Sequence, residues 1–157
     1  MIFKGGSMIL IKIYGLDQFV VGNYSKDNTS NLAKLFEVKE EEILFYAPNS
    51  FIFFKGEEQT SWNATVEILA PHKHHPLQEN IANYLIKTLS EISINVHLIF
   101  NYYDEHHYVS YLNNKYPRFL TDANSVKIET TDVDDEDLTD EDKVYTGNIF
   151  KDFNKKK

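Results

Sequence analysis

The sequence lacks cysteine altogether and contains a single arginine, Arg118. A chain without cysteine has no disulfide framework, which favours a reducing compartment, and we expect the protein to be cytoplasmic. The net charge of −8 and the lone arginine argue against a nucleic-acid-binding face, because such a face needs clustered basic side chains to contact phosphates. Nucleic acid is therefore not an expected partner.

Long hydrophobic runs are also missing. The longest apolar runs, such as residues 94–100, fall far short of the ~20 residues that a membrane span requires. The N-terminal residues lack the basic and apolar regions of a signal peptide. We expect a chain that neither spans a membrane nor is secreted.

Acidic charge is concentrated towards the C-terminal end. Residues 1–120 carry 13 acidic and 10 basic side chains, whereas residues 121–157 carry 11 and 6. The length fits one domain plus an appendage, and we predict a domain over residues 8–120. Residues 121–157 are too poor in apolar side chains to offset the entropy of ordering, which predicts a disordered acidic tail.

A second methionine, Met8, follows the first seven residues. Lys4-Gly5-Gly6 is what a purine-rich ribosome-binding sequence would encode if it were translated. We therefore predict that residues 1–7 are a leader or a misassigned start, and that the protein begins at Met8. A remnant of an expression tag is the alternative.

Alternation and helical spacing of apolar residues predict the secondary structure. Ile9, Ile11 and Ile13 recur at every second position and predict a strand with one fully apolar face. Apolar residues at helical spacing predict a helix that starts at Pro76, a residue suited to a first helical turn. The predicted elements are strands at 9–14, 43–47, 51–54, 62–70 and 93–100, helices at 16–36 and 76–92 with a bend or split near Gly22, and a terminal hairpin at 108–120.

This order of elements predicts two βαβ units, each with a right-handed crossover. The aromatic segment 51–54 and the turn that closes it form a hairpin-like excursion between the two units. A monomeric ferredoxin-like sandwich uses the same order of elements and stays open as an alternative.

Two parts of the sequence resemble a known superfamily. Residues 95–104, Asn-Val-His-Leu-Ile-Phe-Asn-Tyr-Tyr-Asp, followed by Leu-Asn-Asn at 112–114, resemble the C-terminal part of macrophage migration inhibitory factor and other tautomerase-superfamily proteins. The layout of residues 8–120, with the aromatic segment 51–54 and the turn at Gly56, resembles an uncharacterised bacterial family of that superfamily.

The resemblance implies an α+β, tautomerase-like fold, in which two βαβ units form one four-stranded mixed sheet with two helices on one face and short β-hairpins. It also implies three protomers around an inner barrel of sheets, so we expect a homotrimer. Apolar residues on both sides of the strand at 9–14 support an oligomer independently, because an open sheet leaves a face and its edges to cover. Edge pairing into a dimer stays open.

Tautomerase chemistry needs a base that is neutral near pH 7 and a donor or cation at the enolate oxygen. In the superfamily that the chain resembles, a proline at the mature N-terminus supplies the base. Here Ile9 follows Met8, Ile2 follows Met1, and all four prolines are internal. The amine of Met8, with a reference pKa of about 7.7–8.0, is the one weak candidate for a catalytic base.

Two further positions match binding residues of that superfamily. Lys39, with an offset of one residue, matches a lysine that binds substrate oxygen, and Asn101 matches an asparagine of the pocket. Both side chains suit a small carboxylate or carbonyl ligand. The alternatives are a solvated lysine beside three glutamates and a strand-end asparagine that binds local backbone.

Histidines are crowded at residues 72–75 and 106–107. Imidazole nitrogens ligate transition metals, but no carboxylate or cysteine pattern completes a standard site, and solvated polar loops are the preferred interpretation. The acidic run 132–142 lacks the glycine and terminal glutamate of a calcium loop. We predict no metal site and no cofactor.

The sequence leads to two main hypotheses about function. Because Ile9 replaces the proline, we predict a non-catalytic tautomerase-fold protein that binds a small ligand or serves in assembly. The alternative is an isomerase that acts on a small keto acid with a base other than proline. A third hypothesis makes the acidic tail the functional part, presented in three copies to a basic partner.

Overall fold

The computed structural model describes residues 7–124, so residues 1–6 of the predicted leader and residues 125–157 of the predicted tail lie outside the described residues. The helices and strands of the described part are β1 (Ile9–Tyr14), α1 (Gln18–Phe36), β2 (Ile43–Tyr46), β3 (Phe53–Phe54), β4 (Glu57–Glu58), β5 (Asn63–Pro71), α2 (Gln78–Leu89) and β6 (Asn95–Tyr103). Short 3₁₀ helices occupy Glu40–Glu42, His72–Leu77 and Glu105–His107.

The chain divides into two units after Asn113, and the structure describes residues 7–113 of the first unit and residues 114–124 of the second. The described helices and strands all lie in the first unit. In the second unit the described residues form turns, and the side-chain amide of Asn124 donates to the Phe119 carbonyl at 2.9 Å. The predicted domain boundary at residue 120 stays a prediction.

β1, β2, β5 and β6 form one four-stranded mixed sheet in the order β2-β1-β5-β6. β1 is parallel to β2, β5 is parallel to β6, and β1 and β5 pair antiparallel at the centre. Each parallel pair is connected through one helix, as parallel strands require. The sheet is therefore built from two βαβ units, and the predicted α+β, tautomerase-like fold class is confirmed.

The two faces of this sheet are buried to different degrees. On β1, Ile9, Ile11 and Ile13 have no exposed surface, whereas Leu10 and Lys12 between them are only half-buried. Successive side chains of a strand point to opposite faces, so one face is covered and the other is accessible. We call the covered side the helix face and the accessible side the open face.

The hydrophobic core lies between the helix face and the two helices. Ile81, Leu85 and Leu89 recur every fourth residue of α2 and are fully buried, which confirms the helical stripe that the sequence predicts. Burial of each such side chain contributes roughly 1.5–3 kcal/mol. The core partners from α1 are Val21, Tyr24, Leu32, Ala33 and Phe36, and those from the central strands are Ile9, Ile11, Ile13, Ala64, Val66, Ile68 and Ala70.

α1 is one helix over Gln18–Phe36, so Gly22 does not split it. The helix begins after Asp17, whose Oδ1 accepts a hydrogen bond from the Phe19 N–H at 2.8 Å. It ends at Glu37, which adopts a left-handed conformation with φ of 58°. Packing of a long apolar stripe stabilises a helix more than its local propensities do, and this outweighs the unfavourable glycine.

α2 begins later than predicted. The chain leaves β5 through the 3₁₀ helix His72–Leu77, which contains Pro76, and the α-helix starts at Gln78. The Gln78 N–H donates to the His75 carbonyl, a bond between residues three apart that characterises the tighter 3₁₀ helix. None of the helices in the described part of the chain is long and apolar enough to cross a membrane.

β3 and β4 form a separate two-stranded hairpin. Lys55 and Gly56, at its tip, have φ of 48° and 86°. Positive φ at both central residues is the conformation of a type I′ turn, which favours glycine at the second position. The predicted aromatic strand at 51–54 is confirmed in its shorter form, Phe53–Phe54.

The predicted hairpin at residues 108–120 is wrong. Within that segment Ser110 forms an isolated bridge, and the structure shows turns and irregular backbone elsewhere. Pro117 cannot donate to a strand ladder, and Tyr111 and Leu120 are 73% and 86% exposed. Without buried apolar surface, nothing offsets the entropy of ordering a second pair of strands.

Candidate functional site

The start of β1 meets the ends of β5 and β6 at one end of the sheet. Leu10 pairs with Leu69 in the antiparallel pair, and Pro71 pairs with Tyr103 in the parallel pair. Met8, which precedes β1, and Tyr103, which ends β6, therefore approach each other across β5. By strand alternation both lie on the open face.

A cavity of about 250 Å³ lies on the open face at this end of the sheet. It is lined by Met8, Leu10, Leu69, Tyr103, His107 and Tyr108. A mostly apolar cavity with a few polar groups is typical of small-molecule sites, which for drug-sized ligands measure roughly 300–1,000 Å³. The cavity therefore fits a molecule smaller than a drug.

A larger groove of about 450 Å³ between α1 and α2 is lined by more polar side chains.

Tyr103 fastens the end of β6 to Met8. The Met8 N–H donates to Tyr103 Oη at 3.1 Å, and the Tyr103 hydroxyl donates to the Met8 carbonyl at 2.5 Å. Burial raises the pKa of Tyr103, and Tyr108, Glu105 and Glu42 act in the same direction, while the hydrogen bond with Met8 opposes them. Tyr103 therefore stays protonated at neutral pH and keeps its bond to the Met8 carbonyl.

Glu42 connects the start of β1 to the turn before β2. Its Oε1 accepts a hydrogen bond from Ser7 Oγ at 3.2 Å, and its Oε2 accepts one from the Lys39 N–H at 3.0 Å. Lys39 immediately precedes the 3₁₀ helix Glu40–Glu42. The carboxylate thus fixes the backbone of Lys39, while the residue itself is exposed.

The structure brings the predicted site residues to the same end of the sheet but not into one cavity. Met8 lines the cavity. Asn101 is exposed on the open face of β6, where it pairs with the cavity residue Leu69. Neither Asn101 nor Lys39 is among the lining residues. Their roles in binding stay predictions.

Ile9 occupies the position at which the superfamily would carry its proline. Its side chain has no exposed surface and belongs to the core, and it pairs with Ile43 of β2. Its backbone nitrogen is a peptide N–H, which has no basic lone pair. Ile9 is therefore a structural residue of the helix face.

Sequence reasoning missed three polar residues of the cavity, Tyr103, His107 and Tyr108. Tyr103 had a usable signal, because it follows Asn101 by two positions and so lies on the same face of the strand. His107 and Tyr108 had none, because they come after the strand in a turn that Asp104 caps through its side chain.

Charged side chains near the cavity pair with each other. Lys73 Nζ lies 2.7 Å from Glu105 Oε1, with both side chains about half exposed.

The rings of His72 and His75 contact Tyr102, with centroids 6.1 and 5.2 Å apart. Within residues 7–124 no group of three or more histidine, aspartate and glutamate side chains is gathered closely enough to hold a metal ion.

The fold is that of proteins similar to macrophage migration inhibitory factor. One similar structure, that of a macrophage migration inhibitory factor-like protein from Entamoeba histolytica, has a TM-score of 0.51 at 14% identity and covers 64% of this chain and 91% of its own. A protein of unknown function from Vibrio cholerae has a TM-score of 0.57 at 16% identity, covering 68% and 85%. At such identities the likeness establishes the fold alone.

The chain belongs to the DUF1904 family, a domain of unknown function, which matches residues 8–115. A DUF1904 structure from Sebaldella termitidis is similar to this chain, with a TM-score of 0.58 at 20% identity, covering 64% of this chain and 94% of its own. No curated protein matches the sequence. The predicted relation to an uncharacterised family with a fold like that of macrophage migration inhibitory factor is confirmed.

Proposed function

We propose that this protein is a non-catalytic member of the tautomerase fold class that binds a small ligand in the cavity beside Met8. The observation that carries the proposal is the burial of Ile9. Its side chain is part of the core and its nitrogen is a peptide N–H, so the position offers no base for proton transfer. The cavity, in contrast, provides a concave, mostly apolar surface suited to binding.

The ligand class follows from the groups that line the cavity. Met8 and Tyr103 already share their hydrogen bonds with each other. The remaining polar groups of the lining are the His107 imidazole and the Tyr108 hydroxyl, which are donors suited to a carbonyl or carboxylate oxygen. Leu10 and Leu69 supply an apolar wall for the carbon skeleton. We therefore propose a small carboxylate or carbonyl compound with an apolar body.

The test is direct binding, with His107→Gln and His106→Gln as a matched pair. Both histidines are exposed neighbours, but only His107 lines the cavity. Small aromatic and aliphatic acids and ketones are titrated and followed by NMR shifts of Leu10 and Leu69. We expect binding that His107→Gln weakens several-fold and His106→Gln leaves unchanged. Equal effects of the two substitutions, or proton exchange on a keto acid that Lys39→Ala abolishes, would overturn the proposal.

We also propose a homotrimer in which the open face is covered by neighbouring copies. Leu44, Leu10 and Leu69 carry apolar side chains across that face, and Ile99 is 53% exposed on it. An exposed apolar face of this kind marks an interaction surface. Cysteine-free composition further supports a cytoplasmic location for this assembly.

Native mass spectrometry of two isoleucine variants tests the assembly. Ile99→Glu places a charge on the open face, and Ile86→Glu places one on α2, where the isoleucine is similarly exposed at 48%. We expect a trimer that Ile99→Glu dissociates and Ile86→Glu preserves. A monomeric wild-type protein, or a trimer indifferent to both changes, would contradict it.

A second candidate function is an isomerase acting on a small keto acid, and the position of Met8 favours it. Met8 lines the cavity and its nitrogen lies 3.1 Å from Tyr103 Oη, so an amine at that position would lie beside a hydroxyl at the cavity. Deuterium exchange at the carbon next to the carbonyl of a keto acid, measured with a chain that starts at Met8, tests this candidate. Exchange no faster than in buffer would exclude it.

A further inference from the structure

His74 is a buried titratable side chain that the ligand site does not use. It lies in the 3₁₀ helix His72–Leu77 and is 4% exposed. Its ring packs edge-on against Phe36 at the end of α1, with centroids 5.7 Å apart. Its Nε2 is buried and has no hydrogen-bond partner among the described residues.

Charged and polar groups from each neighbouring element face His74. Burial lowers the pKa of His74, and the positive charge of Lys73 on the same 3₁₀ helix lowers it further. Glu42, the Phe36 carbonyl and Glu105 act in the opposite direction, but the pKa stays below its ordinary value. The imidazole is therefore uncharged at neutral pH.

We propose that His74 makes this part of the protein sensitive to acid. Neutral His74 stabilises the packing between the end of α1, Glu42 and the 3₁₀ helix that carries the histidine, and protonation of His74 loosens that packing. An added proton would place a charge in this buried site, with Nε2 left without an acceptor. Glu42 is a negative charge that favours protonated His74, and attraction to it would compete with the hydrogen bonds that its carboxylate accepts from Ser7 Oγ and the Lys39 N–H. Loosening therefore reaches the start of β1.

The sign of the pH dependence follows from linkage. Below the ordinary histidine pKa of about 6.5 the unfolded chain binds a proton more readily than folded His74 does. The stability that neutral His74 provides is thus complete above about pH 6.5 and is lost as the pH falls below that value, until the folded protein is protonated too. For one group the unfolding equilibrium constant rises by at most about tenfold for each pH unit in that window.

The experiment follows His74 itself and then its effect on stability. NMR titration of the histidine ring protons in the full chain gives the protonation midpoint of His74 beside those of the exposed His72 and His75. Urea unfolding between pH 7.5 and 5.0 is compared for the wild type, His74→Phe and the matched control His75→Phe. We expect His74 to protonate below pH 6.5, and His74→Phe, which keeps a ring but removes the titrating group, to flatten the acid-dependent loss of stability that His75→Phe retains.

Two results would overturn the inference: protonation of His74 at or above pH 6.5, or equal acid sensitivity of the two variants. If His74→Phe fails to fold, the wild-type titration decides alone, together with hydrogen exchange of the backbone amides of residues 7–10, corrected for the intrinsic pH dependence of exchange. Faster exchange there at pH 5.5 than at pH 7.5 supports the inference, and unchanged exchange contradicts it. The inference does not depend on what the cavity binds.

Discussion

The helix face and the open face of the same sheet differ in what they contribute to the molecule. On the helix face Ile11 and Val66 are completely buried, whereas on the open face Lys12 and Glu67 form an ion pair at 3.2 Å with both side chains about one-third exposed. The helix face supplies the core energy that holds the fold together. The open face carries the cavity and the side chains available for binding. Because successive side chains of a strand point to opposite faces, the residues that stabilise the fold and those of the candidate site lie on opposite faces of the same strands.

The largest expected effect comes from adjacent residues of β1. Ile11→Ala should cost about 2–5 kcal/mol of unfolding free energy, because it leaves a cavity in the core. Leu10→Ala, on the half-buried open face, should cost less than about 1.5 kcal/mol in a separate protomer, where no neighbouring copy covers that face. Urea denaturation measures both. Equal costs would mean that the open face is as fully covered as the helix face.

Tyr24, a buried residue of α1 on the helix side, provides a second test at alkaline pH. Burial raises the pKa of Tyr24 to about 12, although its hydrogen bond with Thr88 opposes this. Since the unfolded value is about 10, stability should be full below pH 10 and fall on the order of 2 kcal/mol as the pH rises to about 12. Denaturation at pH 8 to 11 should show a smaller alkaline loss in Tyr24→Phe than in the wild type. The same slope in both would refute this account of Tyr24.

Tyr103→Phe and Tyr102→Phe compare one hydroxyl on each face at the end of β6. Tyr103 exchanges two hydrogen bonds with Met8, and Tyr102 donates one to Gln78 Oε1 at 2.7 Å. We expect Tyr103→Phe to cost about 1–2 kcal/mol and Tyr102→Phe about 1 kcal/mol. Hydrogen exchange should rise at the Met8 amide in the first variant alone. Protection of Met8 that survives loss of the Tyr103 hydroxyl would disprove the link between β6 and Met8.

The smallest expected effect is that of the ion pair on the open face. Glu67→Gln removes the partner of Lys12 and should cost less than about 1 kcal/mol, with the difference from wild type shrinking in high salt. Chemical denaturation at two salt concentrations measures it. A cost well above this range, insensitive to salt, would indicate that the pair is desolvated by a neighbouring copy.

The sequence alone predicted the helix face well. Ile9, Ile11 and Ile13 occupy every second position of β1, and Ile81 and Leu85 are four residues apart on the buried side of α2. In both elements the local pattern and the tertiary structure agree. The same logic failed at residues 108–120, where a turn-like Asn-Asn pair suggested a hairpin that has no apolar face to bury.

The candidate site was harder to predict, for a physical reason. Its cavity is formed by residues more than 90 positions apart, such as Met8 and Tyr103, which only the sheet register brings together. Local sequence patterns do not predict such a contact. Lys39 was chosen by resemblance, and its role stays a prediction. Glu42, three residues further on, makes the contacts that order this region.

The burial of Ile9 also limits how this chain can change in evolution. Its side chain is fully buried in the core, so the smaller ring of a proline at this position would leave part of that space unfilled. A proline at position 9 would therefore reduce stability before it could supply any chemistry. Such a substitution would require compensating changes in the core first.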